Sequence, residues 1–308
     1  MTVYNFRNNT DFYLVYGGLK YKLDVNPDIV FSQTFQESSV KKKTLHDRNL
    51  NFNGAVITKA SAGNFSFSIP LLEENDLDAV LALMIQVDSD YNLQPFDFYI
   101  VSDTETYNMS TCALEDATFI IERDGILGLS VSGTCSRLYR VGDNTYTVPG
   151  TLFTRSATTT FQTHSRMSVS IDSIEQDFIK TITISLKNDI QWLNNDTLHK
   201  SLVVTSADNT IYPDSFILAG RTLSGAVEQY ITDSTYSKVN TWKENTPITI
   251  KIGTLNKWGL QFVIPEAVYT NRLVSASLMY QVYDFRMTYN PSDLSSVILK
   301  YNYAGLPV

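Results

Sequence analysis

The chain has 308 residues, 43% of them hydrophobic and 12% aromatic, which excludes a disordered protein and suffices for about two domains with full hydrophobic cores. Its net charge of −8 argues against a protein that wraps nucleic acid, because affinity for phosphate comes from Lys and Arg. The excess acid lies entirely in residues 1–150, which hold 11 Lys and Arg against 19 Asp and Glu.

The sequence also bears on the compartment. Its start lacks the basic and apolar segments of a signal peptide, and no apolar run approaches the ~18 residues of a membrane span. Cys112 and Cys135 lie near adjacent β segments and are predicted to be reduced and packed in or near the core, with a disulfide as the less favoured alternative. We therefore expect a soluble chain made in the cytoplasm.

The first elements are predicted to be strands on either side of a polar excursion. Residues 28–38 alternate apolar and polar side chains and predict a strand. The hydrophilic stretch 38–49 predicts a long hairpin or an extended loop. Residues 64–69 alternate cleanly, as expected of a strand with one face in water.

The next element is the best candidate helix, at residues 75–87. Its apolar residues recur at helical spacing and form one stripe of Leu77, Val80, Leu81, Met84 and Ile85. Four acidic residues at its start suit the positive end of the helix dipole, which explains them more simply than an acid–base pair does. These residues are Glu73, Glu74, Asp76 and Asp78.

Four more strands are predicted in the first half, at 96–102, 107–114, 117–122 and 127–140. The turn before the last of them contains Asp124-Gly125, which is typical of a tight hairpin. The polar, Thr-rich stretch 142–160 has a Pro-Gly in its middle and predicts a linker between domains.

The second half repeats this plan. Strands are predicted at 166–173, 178–186, 201–205, 215–225, 247–252, 258–264, 267–274 and 277–289, with a further segment at 188–193. Residues 172–177 are predicted to be a turn, and a weaker helix is predicted near 226–240. The predicted organisation is a first domain at 1–141, the linker at 142–160, a second domain at 161–290 and a C-terminal arm at 291–308.

A sequence echo supports the duplication. The segment 114–119 (LEDATF) recurs 150 residues later as 264–269 (IPEAVY), and a long alternating strand follows each copy. An Ala-Gly pair that opens an earlier strand recurs as well, at 62–63 and 219–220. A β domain built twice in one chain is typical of proteins that build a surface or a ring.

The sequence carries no recognisable catalytic or cofactor motif. His46, His164 and His199 lie in separate loops without metal-ligand spacing, and no phosphate-binding glycine motif is present. We therefore expect no catalytic residues, no metal and no cofactor, in a protein that is not an enzyme.

The only basic run is Lys41-Lys42-Lys43, which is short and lacks the interleaved aromatic residues of a nucleic-acid patch. One interpretation is a solvated loop. The other is a charged contact with an acidic face of a neighbouring copy, for which the acidic start of the predicted helix, residues 73–78, is the candidate.

The order of elements resembles that of a known family. A strand and long polar hairpin over 29–50, a strand leading into an amphipathic helix over 64–87, and a run of alternating strands resemble the tail tube proteins of long-tailed bacteriophages. The duplication is similar to the major tail proteins of flexible-tailed phages, whose subunit has two tube domains. The resemblance covers about Asp24 to Tyr289. It implies two tandem all-β domains, each a β-sandwich with a flanking helix, whose sheets join neighbouring sheets into a closed barrel.

The resemblance also implies an assembly in the virion tail, built from subunits made in the cytoplasm of the host bacterium. Trimeric rings with pseudo-sixfold symmetry would stack into the tail tube, with residues 41–43 and 73–78 as candidate contacts between rings. Tape measure protein and genomic DNA would pass through the lumen without specific binding, and no membrane is involved. The tail terminator and baseplate or distal tail proteins would bind the ends. The acidic first half suits a lumen that repels phosphate and predicts charge that alternates around it.

Two other functions are open from the sequence. One is a distal-tail or baseplate-hub component with the same fold, which would cap a tube and not polymerise. The other is a tandem β-sandwich adhesin or carbohydrate-binding protein, in which Trp192, Trp242 and Trp258 could stack on sugars, although core and interface packing is the more usual role of such rings.

Overall fold

In the computed structural model the chain is almost entirely β-structure, which confirms the all-β prediction. The structure describes residues 10–26, 28–42, 51–69, 83, 87, 92–122, 128–153, 166–193, 212–233, 246–253, 259–275, 277–288 and 298–301. The first half contains β1 (Asp11–Tyr16), β2 (Leu19–Leu23), β3 (Val30–Ser32), β4 (Phe35–Lys42), β5 (Asn51–Ala60), β6 (Gly63–Ile69), β7 (Phe96–Val101), β8 (Glu105–Glu122), β9 (Gly128–Asp143) and β10 (Thr151–Leu152). The second half contains β11 (Arg166–Ile171), β12 (Ile174–Gln176), β13 (Ile179–Trp192), β14 (Phe216–Tyr230), β15 (Thr246–Gly253), β16 (Gly259–Ser275), β17 (Met279–Met287) and β18 (Ile298–Tyr301).

The strands form where the sequence alternates with a period of two. In β6, Phe65, Phe67 and Ile69 are buried while Ser66 and Ser68 are only partly buried, so one face of the strand is apolar and the other polar. The same alternation recurs in β8, β13 and β14. Hydrophobic burial on one face therefore fixes which way each strand is turned.

Strand β8 is shared by two layers. Its residues 106–112 pair with β7 and its residues 116–122 pair with β13, while β9 follows the opposite side along both parts. A bulge at Leu114–Asp116 in the β8–β9 register lies between the two parts, where a strand can bend from one layer into the next. We call the layer formed by β3, β6, β9, β13, β14, β17 and the later parts of β8 and β16 the central layer.

Each half adds a flanking layer over the central layer: β1, β2 and β7 in the first half, and β11, β12 and β15 in the second. The ring of Phe98 in β7 stacks on the ring of Phe67 in β6 at 5.3 Å between centroids, although these strands do not pair. The two layers therefore pack face to face. Cys112 and Cys135 lie opposite each other in the β8–β9 register and are both buried, as predicted.

The pairing order is the same in the two halves. It runs β2-β1-β7-β8-β9-β6-β3 in the first half and β12-β11-β15-β16-β17-β14-β13 in the second. The sequence echo occupies β8 and β16, and each copy contains a register shift, at Leu114–Asp116 in one and opposite Ile264–Ala267 in the other. The described strands thus follow one plan twice, while the domain boundaries given above stay a prediction.

The halves are joined by pairing between β8 and β13, from Asp116 opposite Lys187 to Glu122 opposite Thr181. On the core side of this junction, the ring of Phe119 packs edge-on against Phe262 of β16 at 5.6 Å between centroids. One buried apolar cluster includes residues from both halves. The described strands form an open 16-stranded sheet with a shared core, and β4 and β5 form a separate two-stranded sheet.

Three pairs of predicted segments are in fact single strands. β8 includes the predicted strands 107–114 and 117–122. β16 covers 259–264 and 267–274 of the next pair, and β13 covers 179–186 and 188–192 of the third. The acidic residues or proline at 115–116 and 265–266 interrupt the apolar alternation. The bulges at these positions absorb that interruption, so the strand continues.

The predicted helix at 226–240 is wrong over its first five residues. β14 continues to Tyr230, because Val227 and Gln229 are buried while their neighbours are not, which is the period of a strand. Residues 234–240 lie outside the described residues, as does most of the predicted helix 75–87. Leu83 within that helix is described, and it is helical and buried.

Other predicted connections have more structure than expected. The predicted turn 172–177 contains β12, which pairs with β11 around Asp172 and Ser173. The predicted hairpin at 38–49 is confirmed by the antiparallel pairing of β4 with β5, and its turn lies outside the described residues. Within the predicted arm, β18 pairs with β16.

The first part of the predicted linker lies against the first half. β10 pairs with β2 in parallel, and the ring of Tyr146 stacks on Tyr99 at 6.2 Å. Val148 is buried, and the side chain of Lys20 donates a hydrogen bond to its carbonyl oxygen at 3.1 Å. Residues 142–153 are therefore docked on the strands that precede them.

Candidate functional surface: the polar face of the central layer

A row of side chains crosses seven strands of the central layer from β6 to β16. Successive register partners define the row as Ser68, Ser130, Thr118, Ser185, Ser224, Arg286 and Val268. Register partners point to the same side of a sheet, so these residues share one face. The adjacent residues Phe67, Phe119 and Ile184 point to the other side and are buried in the core. We call the side of the row the polar face.

Small hydroxyl side chains dominate the polar face where β6, β9, β8 and β13 meet. A second row next to the first contains Ser66, Ser132, Asp116, Lys187 and Thr222. The carboxylate of Asp116 accepts hydrogen bonds from the hydroxyls of Thr118 and Ser185, at 3.0 and 3.1 Å. An open groove of about 380 Å³ lies over this region, also lined by Asp28. The surface is therefore polar, with short side chains.

Three ion pairs cross neighbouring strands on this face: Lys187 with Asp116 at 3.4 Å, Lys180 with Glu228 at 2.8 Å, and Arg272 with Asp284 at 2.9 Å. The hydrogen bond to Glu228 raises the pKa of Lys180, whose ammonium also lies 4.4 Å from the ring centroid of Tyr280. Such exposed pairs contribute little to stability. They do place a carboxylate beside each of these cations, which lowers the attraction of the surface for phosphate.

The two halves contribute differently to the described part of the polar face. Its cations Lys180, Lys187, Arg272 and Arg286 come from the second half. The first-half strands β6, β8 and β9 contribute hydroxyl side chains and acids such as Asp116. The uneven charge of the sequence is therefore visible on this surface, and its alternation around a lumen stays a prediction.

A partly buried polar network lies at the bulge of the first echo copy. The indole N–H of Trp192 donates to the Thr134 hydroxyl at 2.9 Å, and that hydroxyl donates to the Glu115 carboxylate at 2.8 Å. Burial raises the pKa of Glu115, the Thr134 hydrogen bond lowers it, and the nearby charge of Asp189 raises it further. Trp192 and Asp189 belong to β13 in the second half, and Glu115 belongs to β8 in the first half. The network therefore lies at the junction between the halves.

The structure leaves the predicted contact residues largely undescribed. Lys41 and Lys42 belong to β4, whose backbone pairs with β5 at Phe52 and Asn51. Lys43 and the acidic cluster at 73–78 lie outside the described residues, so their contact with a neighbouring ring stays a prediction. Trp192 stacks edge-on against Phe216 at 5.3 Å, whereas residues 242 and 258 are not among those described.

Sequence reasoning missed the polar face itself. Its signal was present as alternating hydroxyls, for example at 64–68, 130–134 and 181–185, but a period of two marks two faces without telling which one meets the core. Within the described ranges, no three His, Cys, Asp or Glu side chains are placed to share a metal ion. No helix in the described part of the chain is long and apolar enough to cross a membrane.

Comparison with known proteins gives a match over nearly the whole chain. The model of the Bacteriophage Baseplate Tube Protein Family matches residues 2–304. A search of curated proteins finds no match. The chain therefore belongs to the bacteriophage baseplate tube protein family and is a structural, virion-associated component of a phage tail or baseplate.

Proposed function

We propose that the chain is a tube subunit, that three copies form a pseudo-sixfold ring, and that stacked rings form a conduit for tape measure protein and DNA. The observation that carries the proposal is the polar face, which continues across both halves over seven strands. A sheet that faces water on one side and a core on the other suits the wall of a water-filled channel.

The chemistry of the polar face suits passage without binding. Tight binding of a polyanion needs Lys and Arg to displace the counterions of its phosphates. On this face Lys187, Lys180 and Arg272 each have a carboxylate within 3.4 Å, and the first-half strands present mainly Ser and Thr. The proposed role is structural and requires no catalysis.

Electron microscopy of the purified protein tests the assembly. We expect hollow rings or tubes with threefold symmetry in two-dimensional averages. A protein that stays monomeric at all concentrations and salt conditions contradicts the proposal. A capping component would give single closed rings that never stack.

Added cations on the polar face test its role as the lumen wall. Ser68→Arg with Ser130→Arg adds two positive charges to each subunit on adjacent strands. We expect phage with this variant to assemble but to deliver DNA into cells more slowly, measured as intracellular genome copies over time. The control is Glu175→Arg, at an exposed position of β12 outside the central layer. Equal delivery by the two variants contradicts a luminal polar face.

The position in the virion distinguishes a baseplate tube from a main tail tube. The family description favours a baseplate location, whereas the resemblance in the sequence favours the whole tail. Gold labelling of an affinity tag fused to the protein, viewed on intact virions, distinguishes these two locations. Gold particles only at the distal end indicate the baseplate, and particles along a disrupted tail indicate the main tube.

Stacking of rings through the β4–β5 hairpin is the most specific part of the proposal. We expect deletion of residues 39–48 to leave folded rings that do not stack. Replacing the three lysines at 41–43 by Glu should have the same effect. Additional replacement of the four acids at 73–78 by Lys should restore stacking. Tubes at normal yield after the deletion contradict this assignment.

A further inference from the structure

An exposed phenylalanine with a strained backbone lies at one end of the central layer. Phe178 immediately precedes β13, and its side chain is 55% exposed. Its φ is +60°, in the left-handed region, where a bulky side chain is a rare outlier. Such strain persists only where the surrounding structure imposes it, and it marks sites that hold a side chain ready for contact.

Hydrogen bonds on both sides of Phe178 impose this conformation. The carbonyl oxygen of Asp177 accepts a hydrogen bond from the side-chain amide of Gln229 at 2.7 Å. The carbonyl oxygen of Phe178 accepts one from the backbone N–H of Tyr230 at 3.0 Å. The peptide groups before and after the Phe178 Cα are therefore both fixed, and the ring is held in one place at the end of the strand.

The side chain that holds Asp177 is itself fixed by polar groups in the core. Gln229, Gln281 and Tyr283 are all buried. The Gln281 amide and the Tyr283 hydroxyl both donate to the Gln229 side-chain oxygen, at 2.7 and 2.9 Å. Burial raises the pKa of Tyr283, so its hydroxyl keeps the proton that it donates. Polar groups in a core cost free energy unless they are paired, and these pairs orient the Gln229 amide towards Asp177.

Two further apolar side chains lie at the same strand ends. Met279 begins β17 and is 54% exposed, and its carbonyl oxygen accepts a hydrogen bond from the backbone N–H of Ile231 at 3.1 Å. Ile231 follows Tyr230, so Met279 lies beside the fixed backbone of Phe178. Leu278 precedes Met279 and is 63% exposed. We call Phe178, Leu278 and Met279 the apolar rim.

Apolar side chains are also exposed at the opposite end of the same strands. β13 runs from the apolar rim to Trp192. Leu193 follows it, and Ile217 lies near the start of β14, which pairs with this end of β13. Both side chains are 39% exposed. The two ends of this strand pair therefore both offer apolar surface.

The β4–β5 hairpin leaves the central layer at this second end. In the rows of the polar face, Ser68 lies with Ser185 and Ser66 lies with Lys187, so β6 begins at the end where β13 finishes. β3 pairs antiparallel with β6, so it ends there and leads into the hairpin. The hairpin and the apolar rim thus lie at opposite ends of the layer.

We propose that the apolar rim docks on a second copy of the chain, at the strand ends from which the β4–β5 hairpin leaves. In a ring whose wall is the central layer, the two strand ends lie on the two annular faces. Copies stacked in one orientation then bring one end of the layer against the other, in a head-to-tail contact that repeats along a tube. The contact removes apolar surface of both copies from water. This proposal rests on the proposed tube and names residues through which its rings touch.

The strain at Phe178 allows assembly to be tested apart from stability. Asn adopts the left-handed region more readily than other residues with a Cβ, so Phe178→Asn removes the ring without adding strain. We expect the Tm of dilute subunits to stay within about 2 °C of the unmodified protein. The concentration at which tubes form should rise by roughly tenfold or more, as for the loss of a central contact residue. Pelleting and electron microscopy measure tube formation.

A second variant tests the rim at a position that was not tied to the strained backbone. Leu278→Lys places a charge on the rim and should raise the same concentration by roughly tenfold or more. The control is Leu152→Lys in β10 of the first half, where the leucine is 51% exposed. This control should change the concentration by less than about threefold, because surface substitutions outside a contact have small effects.

Folded rings that fail to stack in both rim variants, with tubes from the control, support the proposal. Tubes at the usual concentration in both rim variants overturn the rim contact and leave the proposed tube standing. A large loss of Tm in Phe178→Asn also overturns it, because the ring would then serve the subunit itself. If the unmodified protein forms neither rings nor tubes, the proposed function fails as well.

Discussion

The later parts of β8 and β16 share a backbone plan but differ in the side chains that face the core. On β8, Phe119 and Ile121 are 1% and 0% exposed beneath the β13 junction. The matching positions of β16 are Tyr269 and Asn271, both only partly buried. The Tyr269 hydroxyl donates to the carbonyl oxygen of Thr246 at 3.0 Å. The edge of β8 that β13 covers is thus apolar. The corresponding edge of β16, residues 268–275, has no strand partner among the described residues and is amphipathic, and we call it the open edge.

This difference indicates the environments in which the side chains of each edge must be stable. A residue covered during folding meets water only in the unfolded chain, so a fully apolar side chain carries no cost in the native subunit. A residue covered only on assembly must first be stable in water. Tyr269 meets both conditions, because its ring is only partly buried and its hydroxyl can bond to water or to protein.

The largest expected effect comes from a charge placed in the covered junction. Leu186 of β13 is 1% exposed, so Leu186→Asp buries a carboxylate without a partner and should cost more than about 4 kcal/mol in free energy of unfolding. Leu273→Asp on the open edge should change the stability of dilute subunits by no more than about 0.5 kcal/mol. Urea denaturation below the assembly concentration measures both. Similar losses would show that the open edge is already covered in the monomer.

A smaller effect is expected from removing the aromatic ring at matched positions. Phe119→Ala should destabilise the subunit by about 3–5 kcal/mol, since it leaves a cavity against Phe262. Tyr269→Ala should cost roughly 1–2 kcal/mol in the monomer, because the ring is only partly buried. The same urea titration measures both values. Equal costs would contradict the contrast between the edges.

Each half has a glycine that lies opposite a phenylalanine of the neighbouring strand, although Gly133 is in β9 and Gly225 is in β14, which are not counterparts in the repeat. A Cβ added to Gly133 would lie 2.3 Å from the Ala113 carbonyl oxygen and 2.6 Å from the ring of Phe65. At Gly225 the corresponding distances, to Thr183 and Phe285, are 2.3 and 2.5 Å. Gly133→Ala and Gly225→Ala should therefore each cost about 1–3 kcal/mol.

Thermal denaturation of the two glycine variants measures these costs. The control is Gly220→Ala in the same strand as Gly225, where an added Cβ meets nothing within 4 Å. This variant should be neutral or slightly stabilising, because it reduces the freedom of the unfolded chain. A loss confined to one of the two crowded positions would show that the structure around the other can shift to admit a methyl group.

Much of the fold was predictable because its signals are local. The alternation at 64–69, the polar hairpin and the echo at 114–119 and 264–269 are read from a few neighbouring residues, and they gave the all-β class and the repeated plan. The alternation at 226–230 is equally local, and the helix prediction there was wrong because it assigned a helical period to residues that alternate as in a strand.

The junction and the polar face were not predictable from local signals. Pairing of Asp116 with Lys187 joins residues 71 positions apart, and no turn or hairpin between them specifies it. The hydroxyl rows become a surface only when β6, β9, β8 and β13 are aligned side by side. Which of two alternating faces meets the core depends on the flanking layer, which is itself a tertiary feature.

The smallest expected effect concerns the bulge that the two echo copies share. Glu115 in β8 is partly buried, and its counterpart Pro265 in β16 is exposed and carries no charge. Burial raises the pKa of Glu115, so the folded subunit binds a proton there more readily than the unfolded chain does. The charged form therefore costs stability above the folded pKa, and this cost is relieved as the pH falls towards the unfolded value.

Glu115→Gln should remove that cost while its side-chain oxygen still accepts the hydrogen bond from Thr134. We expect a rise in Tm of about 1–2 °C at pH 8, the size of a few tenths of a kcal/mol, and a smaller rise at pH 5.5. Glu175→Gln, at an exposed position of β12, is the control and should show no such trend. A gain that grows as the pH falls would mean that the Thr134 hydrogen bond outweighs burial, and that the covered junction stabilises the charge at its bulge.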